Sequence, residues 1–381
     1  MHRNPFTDAE LDRRLTAVRA AIAERSLDAA ILSTPENIFY LTGLDHWGYF
    51  APHMLIVPLT GRPLLLTREM ERITVENMVR TADFRGHSDS ETVADLAAIA
   101  LADWRLKGRP IGIEAWSAGL SHGLAQALQA LCDADWTDVT GMVDLLRQVK
   151  SGEEQVLLRH AAAATDAGTA AAIAALHDGA AERDVAAECL AAMTRAGGEP
   201  PGFGPFLRPQ ARLGEEHTTW GQGTYAQGQT VFLEIAGCVG RYNTPNGRLV
   251  HIGPAPEGNR AVAEIAERAY GAVLAALRPG ARARQVYAAW QAVVDDAGLS
   301  HYRRHHCGYV VGIAFPPSWT GGNTVTGLRH DSEVEIKQGM SFHIMSWLMG
   351  CGRGDFFLSN CVLLTDKGPE TLTTTPHFNV A

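Results

Sequence analysis

His217 is the side chain of this 381-residue sequence with the clearest potential for acid–base chemistry. It lies in the polar segment Glu215-Glu-His-Thr-Thr-Trp220, seventeen residues before a second ionisable group, Glu234. Imidazole titrates near neutral pH, so it can take a proton from water and return it to a leaving nitrogen. The alternative interpretation is an ordinary loop histidine beside two acids.

Glu234 carries a carboxyl group in a segment of strand-like, apolar residues, among them Val231, Leu233 and Ile235. Glutamate is rarely buried without a partner, so a cation is expected beside it. Arg241 or Arg248 could supply that cation within the chain. The functional alternative is an amidinium or ammonium group of a substrate.

Three further polar side chains are candidates for contacts to a substrate. His343 lies two residues before Met345 in Ser341-Phe-His-Ile-Met345, so strand alternation predicts that both face the same side. Tyr242 and Tyr309 offer a hydroxyl on an aromatic body. For the histidine the alternative is a core position bonded to backbone, and for the tyrosines it is packing.

The cysteines give weaker signals. Cys238 and Cys307 could provide a thiol nucleophile, but nothing in the sequence predicts the depressed pKa that a reactive thiol needs. The run His305-His306-Cys307 could suggest a metal cluster. Adjacent residues of a strand point in opposite directions, which argues against that interpretation.

The elements that must position these residues divide the chain into two parts. Residues 8–27 have apolar positions at helical spacing, and residues 27–32 have the pattern of a strand. A turn is expected at Pro35-Glu36, and residues 54–58 and 63–66 resemble a hairpin. Ser151 followed by Glu153 and Glu154 predicts a capped helix start. We therefore expect an α/β domain over residues 1–148 and a second domain over 149–381, with helices at 257–277 and 284–297.

Bulk composition excludes several classes of protein. The sequence is 46% hydrophobic and 20% charged, with a net charge of -9 and six scattered cysteines. This balance disfavours a nucleic-acid binder, and no apolar stretch reaches the roughly 18 residues of a membrane span. Dispersed cysteines favour a reduced, cytoplasmic protein.

A series of motifs follows a known order along nearly the whole chain. These motifs are Pro35-Glu-Asn-Ile-Phe-Tyr-Leu-Thr-Gly43, Lys150-Ser-Gly-Glu-Glu154, Gly228-Gln-Thr-Val-Phe-Leu-Glu234, Lys337-Gln-Gly-Met-Ser-Phe342 and Leu364-Thr-Asp-Lys-Gly368. Together they resemble the creatinase/aminopeptidase P family, which includes creatinase, ectoine hydrolase and prolidase. The resemblance implies two α/β domains: an N-terminal creatinase-like domain with a mixed sheet and a C-terminal "pita-bread" domain that holds the site.

The resemblance also implies that the metal site of the family's peptidases is lost. Those enzymes bind two metal ions through two Asp, one His and two Glu. The matching positions here are Glu234, Pro245, Tyr309, Met345 and Ser359. One carboxylate remains, so no metal and no other cofactor is expected.

Creatinase and ectoine hydrolase are the members that this pattern resembles, because both work without the metal pair. The resemblance implies hydrolysis of a C–N bond in a small cationic or zwitterionic amidine, guanidine or cyclic amide. It assigns acid–base work to His217, with Glu234 and His343 beside it. Trp47, Tyr242, Tyr309 and Asn360 are expected substrate contacts, and a homodimer is expected in which the loop of Trp47 reaches the partner's site. An Xaa-Pro peptidase with a residual metal, or a non-catalytic scaffold of the same fold, are the alternatives.

Overall fold

The computed structural model describes residues 4–381, which divide into two compact units. The first contains the residues up to Arg147 and the short segment Gly322–Thr324, and the second contains Gln148–Gly321 and Val325–Ala381. Both units mix helices with a β-sheet, so the expected two-domain α/β class is confirmed. Within residues 4–381, every helix is too short or too polar to cross a membrane.

The N-terminal domain is built around a six-stranded mixed sheet with the strand order β4-β3-β2-β1-β5-β6. Strands β1 and β2 pair antiparallel, as do β2 and β3, whereas the outer pairs are parallel. Its elements are α1 (Asp8–Glu24), β1 (Ala29–Leu32), α2 (Pro35–Thr42), β2 (Met54–Pro58), β3 (Leu64–Arg68), α3 (Arg72–Met78), β4 (Asp83–His87), α4 (Val93–Asp103), β5 (Pro110–Ile113), α5 (His122–Leu131), β6 (Asp135–Asp138) and α6 (Met142–Arg147).

The segment at Pro35 begins a helix, so the expected turn was wrong. Proline is tolerated in the first helical turn because the N–H that it lacks would have no partner there. The buried carboxylate of Glu114 accepts hydrogen bonds from the N–H groups of Ser33 and Thr34, at 2.7 and 2.8 Å. Helix α2 then ends at Thr42 and is capped by Gly43, whose φ of 69° suits a residue without a β-carbon.

The C-terminal domain is an eight-stranded sheet with four long helices. The main strand order is β10-β11-β12-β9-β8-β7, with β13 paired to β12 and β14 paired to β9. Its elements are α7 (Gly152–Ala175), α8 (Glu182–Arg195), β7 (Phe206–Arg208), β8 (Thr230–Val239), β9 (Tyr242–His251), α9 (Asn259–Ala276), α10 (Ala283–Asp296), β10 (Gly308–Val310), β11 (Ser341–Leu348), β12 (Phe356–Thr365), β13 (Gly368–Thr371) and β14 (Asn379–Val380).

Helix α7 begins at the cap that the sequence predicts. The Ser151 hydroxyl accepts a hydrogen bond from the Glu154 N–H, and the Glu154 carboxylate accepts one from the Ser151 N–H. This reciprocal pair satisfies two N–H groups that the first turn would otherwise leave without partners.

Strand alternation separates the two faces of the C-terminal sheet. Val231, Leu233 and Ile235 of β8 pack in a core with side chains of α7 and α8, while Phe232 and Ala236 belong to a second, aromatic-rich core. In β11, Phe342 and Ile344 pack with side chains of α9 and α10, whereas Met345 and Trp347 join the aromatic core. Glu234 therefore lies on the aromatic face, because side chains of a strand alternate with a period of two.

Candidate active site

A cavity of about 410 Å³ opens on the aromatic face of the C-terminal sheet. His217 and Glu234, which lie in a loop and a strand, both line it, so the structure brings these two predicted residues together. The walls are largely aromatic, with polar groups at a few positions. The lining residues used below are Phe203, Phe206, Glu216, His217, Glu234, Arg304, His305, His306, Tyr309, Trp319, Met345 and Trp347.

Glu234 is held in the middle of β8, opposite Phe206 of β7, with 8% of its surface exposed. Burial raises the pKa of its carboxyl group to about 8, while the positive charges of Arg208 and Arg304 oppose the rise and the charge of Glu216 adds to it. Desolvation outweighs both arginines because the charged form has lost most of its water. An empty cavity therefore holds Glu234 mainly protonated at neutral pH.

A chain of hydrogen bonds runs beneath the cavity. The Trp319 Nε1–H donates to the Tyr309 hydroxyl at 2.8 Å, and that hydroxyl lies 2.9 Å from His343 Nδ1. On its other side, His343 Nε2 lies 2.6 Å from Ser359 Oγ and 3.9 Å from Glu234 Oε1. Burial lowers the pKa of His343 to about 3, so the imidazole is neutral and carries one ring proton.

A count of hydrogen-bond donors and acceptors indicates which ring nitrogen of His343 carries the proton. If Nε2 carried the proton, the buried Ser359 hydroxyl would accept from it, and no other acceptor for the serine proton is found within residues 4–381. With the proton on Nδ1, the serine donates to Nε2 and the imidazole donates to the Tyr309 oxygen. The hydrogen left over is then that of Tyr309, which lines the cavity and can donate to water or a ligand there, whereas the fully buried Ser359 hydroxyl could not. The Tyr309 oxygen then accepts twice, and its own proton points away from Trp319 and His343, towards the cavity that Tyr309 lines.

His343 is fully buried and does not line the cavity. Its hydrogen-bond partner Tyr309 does line the cavity, and a catalytic role of His343 remains a prediction. Tyr309 itself lies where the sequence places it, on the cavity wall, and burial raises its hydroxyl pKa far above the usual value.

The loop that carries His217 is fastened by two arginines. Arg212 Nη1 donates to the Thr219 carbonyl at 2.9 Å, and Arg212 Nη2 pairs with the buried Glu182 at 2.5 Å. Arg208 donates to the Glu215 carbonyl. His217 itself has a φ of 55°, in the left-handed region that costs a non-glycine residue free energy, and such conformations are often found at functional sites.

The loop before β10 supplies three side chains that are not among the predicted site residues. Arg304, His305 and His306 all line the cavity, and burial lowers the pKa values of both histidines, that of His306 to about 3. The expectation that His305 and His306 point in opposite directions assumed a strand, but β10 begins only at Gly308. Their position four and three residues before Tyr309 was the available signal.

Tyr242 and Asn360 lie in the core and not on the cavity wall. The Tyr242 hydroxyl donates to Glu154 Oε1 at 2.7 Å, and Asn360 Oδ1 accepts from Arg248 Nη2 at 2.7 Å. Both residues are fully buried, so a direct contact with a ligand in this cavity is not supported. Arg248 also donates to the carbonyls of Ser359 and Pro376, so the alternative in which it pairs with Glu234 is not found.

Comparison with known proteins identifies the relatives of this site. Residues 156–366 match the model of metallopeptidase family M24, and residues 14–149 match the creatinase/prolidase N-terminal domain. The chain belongs to family M24. It is 27% identical to the ectoine hydrolase of Halomonas elongata over 98% of this chain and 97% of that one.

Dipeptidases are similar as well. The probable dipeptidase PepE of Mycobacterium tuberculosis is 24% identical over 97% of this chain and 96% of its own. The structure of an Xaa-Pro dipeptidase from Bacillus anthracis matches with a TM-score of 0.84 at 18% identity, covering 97% of this chain and all of that one. The pita-bread fold is thus shown, together with membership of a hydrolase family.

The residues at the M24 metal positions do not fit two metal ions. Pro245 and Met345 have no side-chain oxygen, and the hydroxyls of Tyr309 and Ser359 are engaged with His343. Glu234 alone retains a carboxyl group, whereas hard divalent cations need several such oxygens. Among residues 4–381, no group of three or more His, Cys, Asp or Glu side chains could hold a metal ion.

Two remaining expectations concern residues that are not among those lining this cavity. Trp47 lies in the N-terminal domain with 62% of its surface exposed, and its role as a substrate contact remains a prediction. Cys238 and Cys307 are buried, and burial raises the Cys307 pKa far above the usual value, which disfavours a thiolate nucleophile.

Proposed function

We propose that this protein hydrolyses a C–N bond in a small amidine, guanidine or cyclic amide without a metal ion, with an ectoine-like ring as the first candidate. The observation that carries the proposal is the content of the cavity. At the M24 metal positions it presents one buried carboxyl group, a tyrosine hydroxyl and aromatic walls, with a histidine at the side. The similarity to an ectoine hydrolase over the whole chain supports the same class of substrate.

Glu234 is suited to bind an amidinium or guanidinium group. A cation beside the carboxyl group favours its charged form, so binding lowers the raised pKa and releases a proton near neutral pH. The resulting pair of hydrogen bonds between a planar cation and a carboxylate is strong because it is charge-assisted and buried. The aromatic walls complement the flat, delocalised group.

His217 would then activate water. The imidazole takes a proton as the water oxygen forms a bond to the amidine carbon, and the product of this step is a tetrahedral intermediate. The imidazolium returns the proton to the departing nitrogen, the C–N bond breaks, and an amide and an amine remain. The Tyr309 hydroxyl, turned to the cavity by Ser359 and His343, donates to the substrate atom that gains electron density.

A dipeptidase acting on Xaa-Pro substrates is the second candidate, since PepE and the Xaa-Pro dipeptidase are also similar. It would need a metal at positions where the donor atoms do not fit. A scaffold without activity is the third candidate, and a buried carboxyl group facing an open cavity with a histidine disfavours it.

An assay of product formation separates these candidates. Purified protein should be incubated with ectoine, creatine, cyclic guanidines and Xaa-Pro dipeptides, and products followed by mass spectrometry. We expect hydrolysis of an amidine or guanidine, with kcat reduced roughly 10²- to 10⁴-fold in His217→Ala. His122→Ala, in the N-terminal domain, is the control. Cleavage of dipeptides only, or a normal kcat in His217→Ala, would refute the proposal.

A further inference from the structure

One lining residue has no role in the chemistry proposed above. Arg304 precedes β10 and lines the cavity with Glu234. Of the lining residues in the part of the chain that the structure describes, it is the one with a permanent positive charge. His305 and His306 add no charge at neutral pH, because burial and the nearby arginine charge lower their pKa values.

Arg304 is held by an aromatic ring instead of a carboxylate. Its guanidinium carbon lies 4.6 Å from the centroid of the Trp347 ring. Within residues 4–381, its guanidinium makes no hydrogen bond and no ion pair within 4.0 Å, although most arginines of the chain do. A guanidinium restrained by an aromatic face and left without an acceptor can bind a planar oxyanion with two parallel hydrogen bonds.

The charges of the cavity support such an anion. Glu234 is mainly protonated when the cavity is empty, so it does not neutralise Arg304 at pH 7. Arg304 is nonetheless near enough to Glu234 for its charge to oppose the rise of that pKa. Glu216 also lines the cavity, but it is exposed to water, where its attraction for the arginine is weak.

We propose that Arg304 is the carboxylate-binding residue of the cavity, so that the substrate is a zwitterion with a carboxylate and an amidinium or guanidinium group. This inference rests on the proposed function, because Glu234 is taken to bind the cationic end. The carboxylate would lie on Arg304 and the reacting carbon between Glu234 and His217. Trp347 restrains the arginine, which lowers the entropy lost on binding.

The test uses a matched pair of ligands. Ectoine is a cyclic amidine with a carboxylate, and the same methyl-substituted tetrahydropyrimidine without its carboxylate is the second ligand. Binding is measured by calorimetry in the His217→Ala chain, which prevents turnover. We expect Arg304→Gln to weaken ectoine binding roughly 10- to 100-fold and to change binding of the decarboxylated ring less than about threefold.

A neighbouring arginine provides the control. Arg303 is exposed, and its Nη1 lies 2.7 Å from Asp295 Oδ1, so Arg303→Gln should leave both affinities unchanged. Arg304→Lys should keep part of the ectoine affinity that Arg304→Gln loses, because lysine retains the positive charge. It should not restore all of it, since lysine cannot form the bidentate pair of hydrogen bonds. An equal loss for both ligands in Arg304→Gln would overturn the proposal, since it would show a general effect on the cavity.

A second pair of ligands distinguishes failure of this inference from failure of the proposed function. If the protein binds neither ring, 4-guanidinobutyrate and propylguanidine replace them, and Arg304-dependent preference for the carboxylate form supports the subsite. Selective binding without hydrolysis would remove the proposed reaction and keep the subsite. Hydrolysis with no preference for carboxylate in either pair would keep the reaction and remove the subsite.

Discussion

Glu234 combines two properties that are seldom found together: deep burial and contact with an open cavity. Its raised pKa follows from lost hydration, which two arginine charges do not fully offset. A group that ionises near neutral pH can bind a cation by losing its proton, and can return the proton when the cation leaves. The carboxyl group is therefore suited to a substrate that arrives charged.

The raised pKa of Glu234 predicts that this residue lowers the free energy of unfolding in a pH-dependent way. Between pH 4.5 and about 8 the unfolded chain ionises this glutamate while the folded chain keeps the proton, so the free energy of unfolding falls as pH rises through that interval. Glu234→Gln removes the loss. We expect the variant to exceed wild type near pH 8, on the order of a few kcal/mol, and to approach it near pH 4.5.

Urea unfolding at several pH values measures this difference. Glu216→Gln is the control, because it changes an exposed carboxyl group of the same cavity. A difference between Glu234→Gln and wild type that stays constant across this pH range would show that Glu234 ionises normally in the folded protein.

The hydrogen-bond chain below the cavity gives a second residue-scale prediction. Ser359→Ala frees Nε2 of His343 to carry the ring proton, so Nδ1 becomes an acceptor and draws the Tyr309 proton away from the cavity. We expect kcat to fall roughly tenfold with little change in KM. Tyr309→Phe should cause a similar fall, and the double variant should be no worse than either single one.

Steady-state kinetics of the three variants on the substrate found above test the chain. Ser341→Ala is a matched control, since that buried serine on the same sheet donates to the Val311 carbonyl at 2.8 Å. Additive losses in the double variant would mean that Ser359 acts independently of Tyr309.

At the scale of elements, the loop around His217 is held by the bond from Arg208 to the Glu215 carbonyl and by a largely buried ion pair between Arg212 and Glu182. Glu182 lies at the start of α8, and it accepts from both Arg212 and the Gly221 N–H at 2.5 Å. Arg212 in turn holds the Thr219 carbonyl. This arrangement fixes the loop on both sides of His217, so the histidine can keep its left-handed backbone conformation.

Loss of the contacts that Arg212 makes with Glu182 and the Thr219 carbonyl should reduce catalysis without removing a catalytic group. We expect Arg212→Gln to lower kcat roughly 10-fold, because misplacing an acid–base group weakens proton transfer. Hydrogen exchange of residues 213–221 should become faster at the same time. Arg183→Gln, which changes an exposed arginine of α8, should alter neither quantity. Unchanged exchange with normal kcat in Arg212→Gln would show that the loop is held by other contacts.

How far the sequence could predict this site depends on the element. Regular strands were predictable, because alternation places Glu234 and Met345 on one face and Leu233 and Ile344 on the other. Loops were less so: His305 and His306 were treated as strand residues. The core position of Asn360 was not predictable for another reason, since its partner Arg248 is 112 residues away in sequence, and no local pattern predicts such a pairing.

At the scale of the whole molecule, the N-terminal domain exposes an apolar patch of Trp47, Phe50, Met70 and Ile73. The two segments of the patch are linked by His46 Nδ1 and Glu71 Oε2 at 3.3 Å. Large exposed apolar groups of this kind often mark contacts between proteins. We infer a homodimer in which the loop of Trp47 reaches the partner's cavity.

Mixed dimers test that inference. His217→Ala and Trp47→Ala chains, each with low activity, are unfolded together and refolded in equal amounts. Random pairing gives one complete site in half of the dimers, so activity should recover to roughly a quarter of wild type. Trp116→Ala replaces an exposed tryptophan outside the patch and should be fully active alone. A monomer in solution, or no recovery in dimers shown to be mixed, would contradict a shared site.

The central claim is hydrolysis of a C–N bond by protein side chains alone, and metal analysis of active enzyme tests it most directly. Protein that hydrolyses its amidine or guanidine substrate should be analysed for Mn, Co, Zn and Fe, then assayed before and after dialysis against EDTA. We predict far less than one metal ion per chain and the same kcat in both assays. One or more tightly bound ions per chain, with activity lost to EDTA and restored by the metal, would contradict it.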